Sequence, residues 1–202
     1  MRKRNIILSI LFGCLFLLVL VFVVLGKTTN FDQEVYDIII SIRSSFFDTY
    51  FTGITRFGNT VMVVLIVSMF ILATRNKYGI FLAISAIDSL LLNTIVKLII
   101  QRPRPQGLRL ISQGGYSFPS GHAMMSICVY GYLFYLAITK IKNKVLKYCV
   151  SILLLLVILS IGISRIYVGV HYASDVIGGY LLALCYLFVF IELTKDLKFK
   201  RG

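Results

Sequence analysis

The sequence predicts an all-α polytopic membrane protein: six transmembrane helices, with an amphipathic helix at the interface between the first two. Three observations carry this reading. Hydrophobic residues make up 58% of 202 residues and mean hydropathy is +0.90, whereas soluble domains use about 45–50% apolar residues. Charged residues are only 14%, and they gather between apolar runs. Six of those runs are long enough to be spans, given the ~17–25 residues a tilted helix needs to cross a bilayer.

The runs lie at roughly 5–25, 57–74, 79–100, 122–139, 146–163 and 172–191. The first follows "MRKR" and has the outline of a signal peptide. Its apolar stretch of about 20 residues exceeds the usual h-region of about 7–15, and no A-x-A-like cleavage site follows, so it is expected to stay as a span. Residues 26–56 carry Val35, Ile38, Ile39 and Ile42 at helical spacing, with Asp32, Glu34, Asp37 and Arg43 elsewhere. That pattern suits a helix lying on the membrane surface. The chain has no internal repeat and no low-complexity linker, so 1–202 reads as one domain.

Orientation follows from charge. The segments "MRKR", "TRNKYG", "TKIKNKVLK" and "KDLKFKRG" hold 13 of the 21 Lys and Arg residues (3, 2, 4 and 4 in turn). If all four face the cytoplasm, the positive-inside bias puts both termini there. Segments 26–56, 101–121 and 164–171 then share the outer side. The net charge of +13 forms no basic face of the kind nucleic acid requires, and anionic lipid can meet the same charges. Cys14, Cys128, Cys149 and Cys185 lie scattered within apolar runs, which suits small packing residues better than disulfides or metal ligands.

Both histidines of the chain fall at the outer ends of spans. His122 closes "FPSGH", where Ser120 sits at a helix N-cap position and Gly121 allows close backbone approach. A helix start of this kind favours an anion, although a Ser-Gly there is usually only a cap. His171 precedes Asp175 by four residues, so on a helix the two would share a face. A carboxylate beside a histidine fixes its tautomer and stabilises positive charge on the ring. Lys97, Arg104 and Arg165 lie at the same predicted end. Span-end cations usually serve as snorkelling anchors, but that does not explain two histidines with a carboxylate beside one of them.

Cations of this density suit phosphate, which guanidinium groups bind bidentately. His171 backed by Asp175 could attack phosphorus, and His122 could exchange protons with the leaving group and with water. No carboxylate cluster or zinc spacing points to a metal, and no cofactor is expected.

Three stretches resemble the signature of the type 2 phosphatidic acid phosphatase family of membrane lipid phosphatases. "KLIIQRPRP" supplies Lys97, Arg104 and Pro105. "PSGH" supplies Pro119 to His122. "SRIYVGVHYASD" supplies Ser164, Arg165, His171 and Asp175. The resemblance implies six spans and a metal-independent phosphatase working through a phosphohistidine on His171. In it Asp175 orients the ring and His122 is the acid and base, while Lys97, Arg104, Ser120, Gly121 and Arg165 hold the phosphate. Among family members, the small size is similar to the bacterial phosphatidylglycerophosphate and undecaprenyl pyrophosphate phosphatases. Those lipids are therefore the expected substrates, with phosphatidic acid as an alternative, and the bacterial plasma membrane is the expected location. A transporter of anions or lipid phosphates would also want cavity cations, but transport favours internal repeats and midplane sites.

Four residues keep two readings. Asp88, deep in the third run, either lines a headgroup cavity or bonds a neighbouring span. Arg102 either touches the substrate or is a solvated loop arginine. Tyr116 and Phe118 either contact lipid near the site or anchor the loop at the interface.

Overall fold

The computed structural model describes residues 2–197, and the end of the basic tail (Lys198, Lys200 and Arg201) lies outside them. The described residues fold into helices: α1 (Arg2–Val24), α2 (Thr29–Ser41), α3 (Ser45–Ile54), α4 (Thr60–Thr74), α5 (Lys77–Ile100), α6 (Gly121–Lys140), α7 (Lys144–Tyr167) and α8 (Ala173–Thr194). A short 3-10 turn, Thr55–Gly58, joins α3 to α4, and one π turn, Ile127–Gly131, interrupts α6.

Local chemistry sets most of the boundaries. The side chains of Ser44, Asn59, Asn76 and Asn143 each accept a backbone N–H from the first turn of the helix they precede, satisfying groups that helix starts leave open. Gly26, at φ +67°, turns the chain out of α1, a conformation that costs a glycine little.

Among the described residues, five helices (α1, α5, α6, α7 and α8) are long and apolar enough to cross a membrane. The second apolar run does not make one straight helix of spanning length. It forms α4, of only 15 residues, or about 22 Å at 1.5 Å per residue, too short alone for a ~30 Å hydrocarbon core. With Ser45–Gly58 it makes a pair bent by 59°. Helix α6 is framed by α5, α7 and α8, and α1 packs along α8. The core runs through Leu82, Met124, Val129, Tyr132, Ile161 and Ala183. Many Leu, Ile and Val side chains of α1, α4, α5 and α7 remain on the outside, the pattern of helices whose outer face meets lipid rather than water.

The amphipathic segment also departs from expectation. Residues 29–54 make two helices, not one, broken at 42–44. Its inward face carries the buried Asp32 beside only part of the apolar stripe. Val35 and Ile39 pack inward against Ala123, Ile166 and Ala173, whereas Ile38 and Ile42 are exposed. Asp32 turns inward because the start of α8 offers it hydrogen-bond donors.

Polar groups inside the bundle are mostly paired. Ser85 Oγ donates to the carbonyl of Cys128, within the π turn, at 3.0 Å. The two readings of Asp88 resolve toward packing: Tyr186 on α8 donates its hydroxyl to Asp88 Oδ2 at 2.7 Å. Phe118 is wholly buried and stacks on Phe16 of α1, centroids 6.0 Å apart, so it is a core residue and touches no interface. Cys128 is buried, but Cys14 and Cys149 are exposed on the apolar exterior and do not fill the core.

Candidate active site

Three chain segments converge where α5 and α7 end and α6 and α8 begin. Residues 101–120 cross this end as an irregular connection. Pro103 and Pro105 forbid helix there, and Gln101, at φ +50°, terminates α5. The connection is pinned at three points. Ser117 N–H donates to Arg102 O (2.8 Å), Leu110 N–H to Val168 O (3.1 Å) and Ser120 N–H to Asp175 O (3.0 Å).

His171 lies in the turn between α7 and α8, not on a helix as the i,i+4 spacing suggested, because α8 starts only at Ala173. It still meets Asp175, since Asp175 occupies the first turn of α8 and curls back. Its Oδ2 accepts from Tyr172 N–H at 2.9 Å and lies 3.3 Å from His171 Nδ1. Ser117 Oγ donates to the same oxygen. On the other side of the ring, Arg104 Nη1 lies 3.0 Å from His171 Nε2. A guanidinium can only donate, so Nε2 must accept and Nδ1 carries the proton toward Asp175. The ring thus presents an unprotonated Nε2 on the cationic side. Burial pushes the His171 pKa down to about 3, with Arg165 and Arg104 acting the same way against Asp175.

The cations are held by neutral oxygens, not by acids. Arg104 Nε donates to Gly114 O (3.1 Å) and Gly115 O (3.0 Å), and Nη1 also to Val170 O (2.7 Å). Arg165 is fully buried. It donates to Thr55 Oγ1 at 2.5 Å and to Gln113 Oε1 at 2.9 Å, and its Nε has no partner among the described residues. Lys97 Nζ donates to Tyr116 O at 2.5 Å. Ser120 has the extended backbone of an N-cap, but its side chain caps nothing; its buried Oγ has no partner among the described residues. Gly121 is needed for space: a Cβ there would come within 2.9 Å of Asn93 Oδ1, and Asn93 in turn donates to Pro119 O at 3.0 Å. His122 is half-buried in the first turn of α6, with Gly58 beneath it, and is within electrostatic reach of Arg165, His171, Arg104 and Lys97.

All eight residues singled out from the sequence therefore gather at one end of the bundle: Lys97, Arg104, Ser120, Gly121, His122, Arg165, His171 and Asp175. Among the described residues, buried donors without acceptors lie at the same end as three cations and an unprotonated ring nitrogen, an arrangement chemically suited to an anion and to nucleophilic attack.

Known proteins resemble this chain in sequence and in fold. The PAP2 superfamily pattern matches residues 77–199. Phosphatidylglycerophosphatase B of Bacillus subtilis (strain 168) is 30% identical over 178 residues, covering 84% of this chain and 85% of that protein. The chain belongs to the PAP2 superfamily. Undecaprenyl-diphosphatase of Sulfolobus acidocaldarius is 27% identical over 196 residues, 91% of each chain. The crystal structure of a transmembrane PAP2-type phosphatidylglycerolphosphate phosphatase from Bacillus subtilis superimposes with a TM-score of 0.84 at 27% identity, covering 96% of this chain and 99% of that one.

The PAP2 match begins at α5, yet residues before it complete the site. Thr55 holds Arg165, and Asp32 reaches Arg102 and Ser174. Arg102 is not the solvated loop arginine of the second reading. It is paired with both Asp175 and Asp32, with its side chain 15% exposed. Ser117, Asn93 and Gln113 were equally invisible, because a single polar residue in a loop or span carries no periodic or motif signal. A cavity of about 340 Å³ opens between α2 and residues 105–108 and touches Asp32, Arg102, Tyr172 and His171. Lys97, Arg104, Ser120, His122 and Arg165 are not among its lining residues.

Proposed function

We propose that this PAP2 chain is an integral membrane lipid phosphatase that hydrolyses its substrate through a phosphohistidine at His171. The observation that carries the reading is the His171 ring, held at Nδ1 by Asp175 and met at Nε2 by Arg104. Phosphate oxygens would take the donors of Arg104, Arg165, Lys97, Ser120 and the amides near Gly121, freeing the Nε2 lone pair. Nε2 attacks phosphorus as the P–O bond to the lipid breaks, and protonated His122 gives its proton to the departing oxygen. Asp175 stabilises the positive ring that results. Water then attacks phosphorus, His122 takes its proton, the P–N bond breaks and inorganic phosphate leaves. No step calls on a metal.

The names of the relatives support phosphatidylglycerophosphate and undecaprenyl diphosphate as substrates, with phosphatidic acid as the alternative. We assign 1–202 to one domain with six spans, the bent α3–α4 pair supplying the second and α2 lying along the interface. Positive-inside charge puts both termini in the cytoplasm and the site at the outer face of the bacterial plasma membrane. The test is phosphate release from each lipid in detergent with EDTA present. Turnover should persist with EDTA and vanish in His171→Ala. Loss with EDTA, or activity in His171→Ala, overturns the mechanism.

A further inference from the structure

Asp175 has two oxygens, and only one of them faces His171. Oδ1 accepts from Arg102 Nη1 at 2.7 Å. Arg102 Nη1 also donates to Ser174 Oγ at 2.8 Å, and its Nη2 donates to Asp32 Oδ2 at 2.8 Å and Thr28 Oγ1 at 3.2 Å. The guanidinium lies over the Tyr172 ring, 4.1 Å from its centroid. Asp32 closes the figure: Oδ1 accepts Ser174 N–H and Oδ2 accepts Ser174 Oγ, both at 2.8 Å. Asp32, Asp175 and Ser174 are at most 3% exposed. This is a buried chain of charge-assisted bonds running from α2 through Arg102 to the carboxylate behind the His171 ring.

We infer that Arg102 and Asp32 are positioning residues that hold Asp175, and through it His171, in the orientation and tautomer attack requires. The inference rests on the lipid phosphatase reading above. Arg102 is unsuited to binding phosphate directly. Its fork is occupied by two carboxylates, and it borders a cavity that none of Lys97, Arg104, Ser120, His122 and Arg165 lines. Asp32 also restores the charge balance. Arg102 alone would neutralise Asp175; with Asp32 added, the three groups keep one net negative charge to offset the ring that becomes positive on phosphorylation. Buried pairs of this kind are costly to break from one side, and fork geometry is something lysine does not reproduce.

The experiment compares wild type with Arg102→Gln, Arg102→Lys and Asp32→Asn, each shown to be monodisperse in detergent. Arg102→Gln and Asp32→Asn should lower kcat by about tenfold or more with KM nearly unchanged, as expected when a catalytic group is misaligned and binding is intact. Arg102→Lys, which keeps the charge but not the fork, should recover part of kcat. Only two histidines occur in the chain, so ¹⁵N-histidine labelling, with His122→Asn for assignment, reads the His171 tautomer directly. Wild type should show protonated Nδ1, and Arg102→Gln should admit the other tautomer. Unchanged kcat, or a raised KM with an unchanged tautomer, overturns the inference. If Arg102→Gln fails to fold, Asp32→Asn and Arg102→Lys carry the same readouts. If wild type hydrolyses no lipid phosphate while the tautomer still responds, the phosphatase reading falls and the positioning role stands.

Discussion

Arg104 Nη1 donates both to Val170 O at 2.7 Å and to His171 Nε2 at 3.0 Å. One planar group thus anchors the turn that carries His171 and also meets the nitrogen that would attack. Lysine offers a point charge without this fork. Arg104→Lys should therefore lower kcat/KM by about 10²–10³-fold, the loss typical for a preorganised donor. Steady-state hydrolysis of lipid phosphate measures it, and wild-type turnover in this variant would remove Arg104 from the site.

Ser117 is a buried donor to Asp175 Oδ2, and hydrogen bonds to charged groups contribute about 1.5–3 kcal/mol. Ser117→Ala should destabilise the protein by roughly that amount and reduce kcat less than Asp175→Asn does. Denaturant unfolding in detergent, together with turnover, checks both. A Ser117→Ala variant as stable as wild type would contradict the contact.

The buried His171 ring makes stability depend on pH. Its folded pKa is pushed down from 6.5 to about 3, chiefly by burial. As pH falls, the unfolded chain takes the proton first. The contribution is therefore fully present above about 6.5 and is lost progressively as pH falls toward 3. The Tm of wild type should drop across this window, and His171→Asn should drop less. Parallel curves for the two proteins would show that the ring is not buried as described.

Gly169 stands between Arg165 and His171 at φ +78°, and a Cβ there would collide with the Leu108 carbonyl. Gly169→Ala meets both left-handed strain and a backbone clash, each costing about 1–3 kcal/mol. The expected result is lower stability together with lost activity, because Val168 O and Val170 O hold the 101–120 connection and Arg104. Thermal unfolding and phosphate release measured on one preparation check it; an unchanged Tm would refute it.

Helices and spans were largely legible because hydrophobic runs and Asn or Ser caps are local signals. The second run was legible only in part because apolarity does not reveal a bend: the chain reaches α4 through a 3-10 turn at Thr55–Gly58. Asp32 misled for a related reason. Its face was judged from the spacing of Val35, Ile38, Ile39 and Ile42, whereas its orientation is decided by Ser174 and Arg102, 142 and 70 residues away.

By itself, the sequence determined that apolar helices would bundle in a membrane, and which cations, histidines and carboxylate would meet at one end of that bundle, since residue type and motif spacing are properties of the chain. Tertiary structure alone decided how each side chain is held: Asp175 between Arg102 and His171, Arg165 between Thr55 and Gln113, and Ser120 Oγ left open. Hydrogen bonds last only over about 3 Å, and which distant donors come within that range is set by the packing of helices far apart in the chain.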